Sequence, residues 1–414
     1  MNNFNIDNEY FKKNIVLRKI NGIIFKYSLI IITMFSILLL FILLYTIVDK
    51  TMGYVVVTYK NSPSDIEKVM GKNINNLSKK DLAFLIDKNI NPRLKRFLTK
   101  DKELFFYEKS KLLDIFKEEI IAEEVEKIYN LSSSLLKRNE IFSSIQEGEF
   151  VYFRFWINKD FLLKAQSSNP LKAGIKGAII GTIWIVFLTL IISIPLGVGT
   201  AIFIEEFIEK ENFIFNIIKI NIYNLSGIPS IIYGLFGLFI FVRTLSYFTS
   251  GAFMGIAELN ASGRTILSAG ITMSILILPI IIINTQEAIK SVPNSLKNAS
   301  YGLGATKIQT IFYHILPYSI DRILTGLILG FSRAIGETAP LVVIGASTFL
   351  TTNPKNIFDK FTVLPIQIYQ WTARPQEEYK FLAASAIVIL LLLLFLLNAF
   401  AITLRNDIRK KKII

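Results

Sequence analysis

Six apolar runs, at residues 27–48, 177–204, 222–242, 266–283, 323–350 and 381–404, constrain this chain more than any other feature. A helix rises about 1.5 Å per residue and a bilayer's hydrocarbon is about 30 Å thick, so about 20 apolar residues cross it. Most of the runs meet that length, and with 52% hydrophobic residues among 414 a soluble globule is excluded. The third run contains Gly227 and Pro229, so it reads as a broken span, a form tolerated where protein or a cavity surrounds it. The expected fold is an all-α multi-pass membrane protein with about six transmembrane helices.

The charged flanks set the orientation. Lys12, Lys13, Arg18, Lys19 and Lys26 precede the first run, and Arg405, Arg409, Lys410, Lys411 and Lys412 follow the last. Cationic flanks stay on the cytoplasmic side, so segment 1–26 and tail 405–414 are both expected there, which requires an even number of spans. Residues 49–172 are also rich in Lys, but long domains translocate largely regardless of charge. The net charge of +14 is therefore no sign of nucleic acid. The first run, at 27–48, follows a long charged segment and lacks a small-residue cleavage site, so it is expected to remain as a signal anchor. The chain has no Cys, which removes disulfides, thiolate metal sites and thiol nucleophiles.

Residues 49–172 form an extracytoplasmic insertion of different character. The stretch from Tyr54 to Tyr59 is strand-like, Ser78 with Asp81 matches a capping box, Asn91-Pro92 matches an N-cap and first helical residue, and 151–156 alternates like a strand. The insertion is expected to be α+β or mainly helical. Its Lys/Glu mixture, as in 109–127, reads as a solvated helix face, and no chemistry is assigned to it. Between the second and third runs, Glu205, Glu206, Glu209 and Lys210 lead into 212–224, either a helix along the membrane surface or an ordinary connector on the bundle.

Residues 173–404 form the membrane core, and within it 287–317 is a polar excursion between two apolar runs, cytoplasmic by the orientation above. Pro293 suits the first turn of a helix, with Asn294 or Ser295 assisting as cap, and Gly302 and Gly304 suit its end. This stretch resembles the coupling loop of ATP-binding-cassette (ABC) importer permeases, whose pattern is Glu-Ala-Ala, three residues, Gly, nine residues, Ile, one residue, Leu-Pro. Ala299, Gly304, Leu316 and Pro317 match, while Asn298 replaces Glu, Ser300 replaces the second Ala and His314 stands where Ile is usual. The loss of that Glu weakens any specific ion pair to an ATPase. As the only histidine, His314 cannot build a metal site alone.

The fifth run carries Ser332-Arg-Ala-Ile-Gly-Glu-Thr-Ala-Pro340, which places Arg333 and Glu337 one helical turn apart on one face. Counted from Ile323, Arg333 falls about 15 Å into the run, near the middle of the hydrocarbon. A charge there costs about 2.5 to 3.5 kcal/mol on translocon scales and needs a partner or a purpose. Either the two charges neutralise each other, or Arg333 also offers its planar guanidinium to a tetrahedral oxyanion, with Ser332 and Thr338 as neutral donors nearby.

Several blocks extend the likeness to a narrower family, the phosphate-uptake ABC permeases of the PstA type, over most of 150–407. They are Ile194-Pro-Leu-Gly-Val-Gly199, Ile204-Glu-Glu-Phe207, Asn224-Leu-Ser-Gly-Ile-Pro-Ser230, Ile231-Ile-Tyr-Gly-Leu-Phe-Gly237, Arg333-Ala-Ile-Gly-Glu-Thr-Ala-Pro340 and Val363-Leu-Pro-Ile-Gln-Ile-Tyr369. In this branch a His before Ile-Leu-Pro is not out of place. The resemblance implies a subunit of a bacterial cytoplasmic (inner) membrane importer for inorganic phosphate. Its partners would be a sister permease, a pair of ATP-binding subunits and an extracytoplasmic phosphate-binding protein. ATP and Mg would be bound by the partner ATPase and no cofactor by this chain, in keeping with the lack of a Gly-x-x-x-x-Gly-Lys-Ser/Thr loop.

Gly181, Gly197, Gly199, Gly234, Gly237, Gly326 and Gly330 are candidates for close helix approach. A permease for sulfate, molybdate or a phosphonate would share the coupling loop and even the arginine, and only the family blocks argue against it. A membrane sensor would need a cytoplasmic output domain after the last run. A membrane enzyme would need a cluster of His, Cys or carboxylates within the runs, where Glu337 stands alone.

Overall fold

The computed structural model describes residues 8–61, 66–67, 77–90, 106–116, 120–121, 123–146, 148–208, 213–258, 261–346, 349–350 and 352–410. The expected helix start at Asn91-Pro92, the connector residues Glu209, Lys210 and Asn212, and Lys411 and Lys412 lie outside them. The chain divides into two compact units, Met1–Arg154 and Phe155–Ile414.

The first unit begins with helix α1 (Asn8–Asp49), which carries the first apolar run and buries none of its most apolar stretch. At its end the Asp49 carboxylate accepts bonds from the Ser132 backbone N–H at 2.7 Å, from the Ser132 hydroxyl at 2.6 Å and from the Asn130 amide. Strand β1 (Met52–Tyr59) follows, then α2 (Lys79–Asn89), whose start is the Ser78/Asp81 capping box that the sequence signals. Helix α3 (Lys109–Phe116) precedes β2 (Glu123–Ile128), so the Lys/Glu stretch 109–127 is only partly helical. Short helices α4 (Leu131–Leu136) and α5 (Arg138–Ser143) lead to β3 (Glu149–Phe155).

The sheet order is β2-β1-β3, with β1 and β2 antiparallel and a register slip between Val56 and Val57. That bulge breaks the alternation of a strand and lets Val55, Val56 and Val57 all be buried. Leu82 and Ile86 of α2 close a second core with Leu112 and Phe116 of α3. Burial first, and the Glu123 carboxylate second, push the Tyr152 hydroxyl above its ordinary 10.0, against an opposing pull from Arg154. The insertion is thus an α+β module.

The second unit opens with α6 (Lys159–Leu163) and α7 (Lys176–Ile202), which widens into a π turn over Phe203–Phe207. Helix α8 (Phe213–Ser226) and α9 (Ser230–Gly237, continued by a π stretch Leu238–Thr244) meet at a bend of 101°. Pro229 explains the break, because it lacks an N–H and pushes the residue before it out of the helical region. Helix α10 (Ile266–Lys290) is the centre of the bundle, with Ile266, Ala269, Met273, Leu276, Ile277 and Ile281 all in the core. It packs on α7 and on the helix that begins at Lys307.

Helices α11 (Asn294–Gly302) and α12 (Lys307–Thr310) form the polar excursion, and α12 runs through a π turn at Ile311–Ile315 into α13 (Leu316–Gly336). Pro317 explains that turn, since it cannot donate into the preceding turn and the helix widens there. Helices α14 (Ala339–Ile344), α15 (Leu364–Thr372) and α16 (Glu377–Lys410) complete the unit. Among the described residues, five helices are long and apolar enough to cross a membrane, or six if the bent α8–α9 pair counts as one span. The protein is an all-α multi-pass membrane protein that carries a small sheet.

Candidate functional site

The fifth apolar run is not one helix. Its helix begins at Lys307, well before the run, and stops at Gly336, leaving Glu337 extended before α14. Arg333 therefore sits in the last turn of α13, at the point where the helix stops, and not inside a helix that continues through the run. The signals for the stop are Gly336 and Pro340, the latter in the first turn of α14 where its missing N–H is harmless. A cation in the last turn also complements the partial negative charge of the helix C-terminus.

Arg333 Nε donates to Glu337 Oε1 at 3.2 Å, and the Arg333 side chain is 46% exposed while that of Glu337 is 19% exposed. Ser332 is half-buried and bonds across to the last helix, its hydroxyl 3.0 Å from Asn398 Oδ1. Among the described residues Thr338 Oγ1 makes a long 3.4 Å contact to Gly336 O. The four expected residues Ser332, Arg333, Glu337 and Thr338 thus gather at the α13–α14 break. Asn398 joins them and escaped the sequence reading, although an amide within the final apolar run is the signal that could have found it.

This break faces the other one. A Cβ on Gly234 of α9 would lie 2.7 Å from Pro340 Cα, so α9 and α14 touch backbone to backbone. Tyr233, beside that glycine, donates its hydroxyl to Leu225 O across the α8–α9 bend at 2.7 Å. Two interrupted helices therefore meet at the break that carries the arginine, an arrangement suited to a small anion. Among the expected close-approach glycines, Gly326 against Asn284 is equally tight at 2.5 Å, whereas Gly199 has nothing within 4 Å.

The second group of expected residues lies at the other end of the same helix. Pro317 and Arg333 are about 24 Å apart along it. Asn298 and Ala299 are exposed on α11, and Pro293 is the N-cap rather than the first helical residue. Ser300 is buried, its hydroxyl 2.9 Å from that of Thr310, so it ties α11 to α12. Gly304 takes φ +83 and makes the turn between them. Leu316 is partly buried against the core while Pro317 is exposed. Helix α12 starts with a capping box of Thr306 and Gln309, a sequence signal that the reading missed.

Around this frame stand Leu303 at 91% exposed, Ile308 at 59%, Phe312 at 62% and Tyr313 at 74%. Leu303 lies at the turn and the other three on the helix that runs on into α13, so large apolar side chains point outward at this end of the unit. Among the described residues no group of three or more His, Asp or Glu comes together to hold a metal.

Residues 193–410, just over half the chain, match the model of the binding-protein-dependent transport system inner membrane component. A probable ABC transporter permease, YqgI of Bacillus subtilis, is 31% identical over 253 residues, 58% of this chain and 81% of that protein. The phosphate transport system permease PstC of Pasteurella multocida is 33% identical over 245 residues, 55% of this chain and 71% of that protein. PstA of Yersinia pestis, named likewise, is 30% identical over 234 residues, 56% and 72% of the two chains. The MetNI methionine ABC transporter, solved in inward-facing conformations, aligns at 16% identity with a TM-score of 0.43, over 56% of this chain and 95% of that chain.

Proposed function

The chain belongs to the family of binding-protein-dependent transport system inner membrane components, and from that premise we propose that it is one permease half of an ATP-driven importer carrying inorganic phosphate across a bacterial cytoplasmic membrane. A sister permease completes the path. A pair of ATP-binding subunits, holding ATP and Mg, docks on the exposed hairpin, and an extracytoplasmic binding protein delivers the anion. Both termini lie in the cytoplasm, which places the α+β module outside.

The observation that carries the substrate assignment is Arg333 at the junction of two helix breaks. Only Nε of its guanidinium is engaged among the described residues, which leaves Nη1 and Nη2 for a tetrahedral oxyanion. The names of the Pasteurella and Yersinia relatives point to the same anion. Glu337 limits how tightly the site holds it. ATP binding and hydrolysis in the partner move the hairpin, and the bundle alternates between outward and inward access.

The test is uptake of radiolabelled phosphate at micromolar concentration, with excess sulfate present, for the intact chain and Arg333→Ala at matched membrane abundance. Uptake that resists sulfate and collapses in the variant is expected. Uptake that survives the substitution removes Arg333 from the path, and uptake blocked by sulfate replaces phosphate as the cargo.

A further inference from the structure

The π turn that ends α7 holds the polar excursion at three consecutive residues. Glu205 Oε1 lies 3.1 Å from Lys290 Nζ, the last residue of α10. This is a charge contact without hydrogen-bond alignment, since that oxygen has no bonded partner. Glu206 Oε1 accepts from Lys297 Nζ on α11 at 2.5 Å, and Lys307 Nζ, the first residue of α12, stands 5.2 Å from the centre of the Phe207 ring. The two carboxylates are 3% and 6% exposed, so each lysine neutralises an acid that is withdrawn from water. A π turn puts extra backbone into the helix and spreads successive side chains more widely than an α turn, which lets three neighbours reach three different elements.

We infer that residues 205–207 act as a clasp that makes α7 move with the hairpin. The hairpin is joined by the chain only to α10 and α13, so a push on it reaches those helices covalently. Helix α7 has no such connection, and the clasp supplies one. Below the contacts, Ala201 and Ile204 pack with Ile289, Val292, Ile311 and Ile315 in a single apolar cluster, which gives the three lysine contacts a stiff base. The inference rests on the reading of the hairpin as the ATPase contact. It adds positioning residues, Glu205, Glu206, Phe207, Lys290, Lys297 and Lys307, that convert hairpin displacement into motion of α7.

The test uses the full transporter in proteoliposomes and reads phosphate uptake per ATP hydrolysed, with ATPase co-purification scored separately. Glu206→Gln and Lys297→Gln are each expected to lower that ratio about tenfold while the ATPase still co-purifies. The exchange of Glu206→Lys with Lys297→Glu is expected to restore it. Because the chain has no Cys, Glu206→Cys with Lys297→Cys offers a second arm. A short bis-methanethiosulfonate cross-linker, which forms a disulfide to each Cys with loss of methanesulfinate, should recover the ratio, and reduction of those disulfides should lose it again.

Singles that keep a normal ratio with the ATPase bound overturn the clasp, as does a Cys pair indifferent to cross-linking. Leu303→Asp with Ile308→Asp serves as the control on the underlying reading. If that variant retains both ATPase co-purification and uptake, the hairpin is not the contact and the clasp falls with it.

Discussion

Glu337 touches Arg333 through Nε alone, and the other two guanidinium nitrogens carry no bond among the described residues. The arginine is nearly half exposed in the protein, and for a pair lining a water-filled substrate path the worth is about 0.2 to 1 kcal/mol. Glu337→Gln should therefore raise phosphate affinity about two- to fivefold, by freeing the cation, and lower maximal uptake, because release slows. Saturation curves for uptake check this, and an unchanged half-saturation concentration would show that the carboxylate has no part in holding or releasing the anion. The residue types at this site were legible in the sequence because an Arg, a Glu and two hydroxyls in an apolar run have few bland explanations. Asn398 was not, because 66 residues separate it from Ser332 and only the packing of α16 on α13 brings the two to 3.0 Å.

Among the elements, the hairpin depends on one backbone angle. Gly304 sits at φ +83 with open space around its Cα, so a side chain there meets no clash but does meet left-handed strain of about 1 to 2 kcal/mol. Gly304→Val is expected to weaken ATPase co-purification and coupled uptake while leaving membrane insertion intact, and Gly304→Asn, which tolerates this region, to stay near the parent. Normal coupled uptake in the valine variant would remove the turn from the ATPase contact. Helix starts and stops followed local chemistry and could be read ahead, as at the Ser78/Asp81 box and the Pro229 break. The fifth run misled because its apolar stretch crosses a helix end. Hydropathy carries no mark for the extended Glu337, and the helix proper starts among polar residues at Lys307.

At the scale of the whole molecule, α1 and the α+β module are joined through a buried carboxylate. Asp49, 6% exposed, takes three bonds from Asn130 and Ser132, and the Tyr45 hydroxyl adds a 2.7 Å contact to the Ser132 hydroxyl. Hydrogen bonds to a charged group are worth about 1.5 to 3 kcal/mol each, so Asp49→Ala should loosen the module from α1. Faster proteolysis within 123–155 is the expected outcome, and an unchanged cleavage rate would assign the junction to the β-sheet instead. What the sequence determined by itself is the class, the number of apolar crossings and the chemistry available at each charged position, because hydrophobic length and backbone punctuation act locally. The tertiary structure alone decided that two helix breaks meet beside Arg333, that Glu205 finds the lysine at the end of α10, and that Glu206 and Phe207 each find a lysine of the hairpin. Those pairings span from 85 residues, Glu205 to Lys290, to 106 residues, Gly234 to Pro340, and nothing local selects one partner over another until the apolar faces of α7, α10 and α13 have packed.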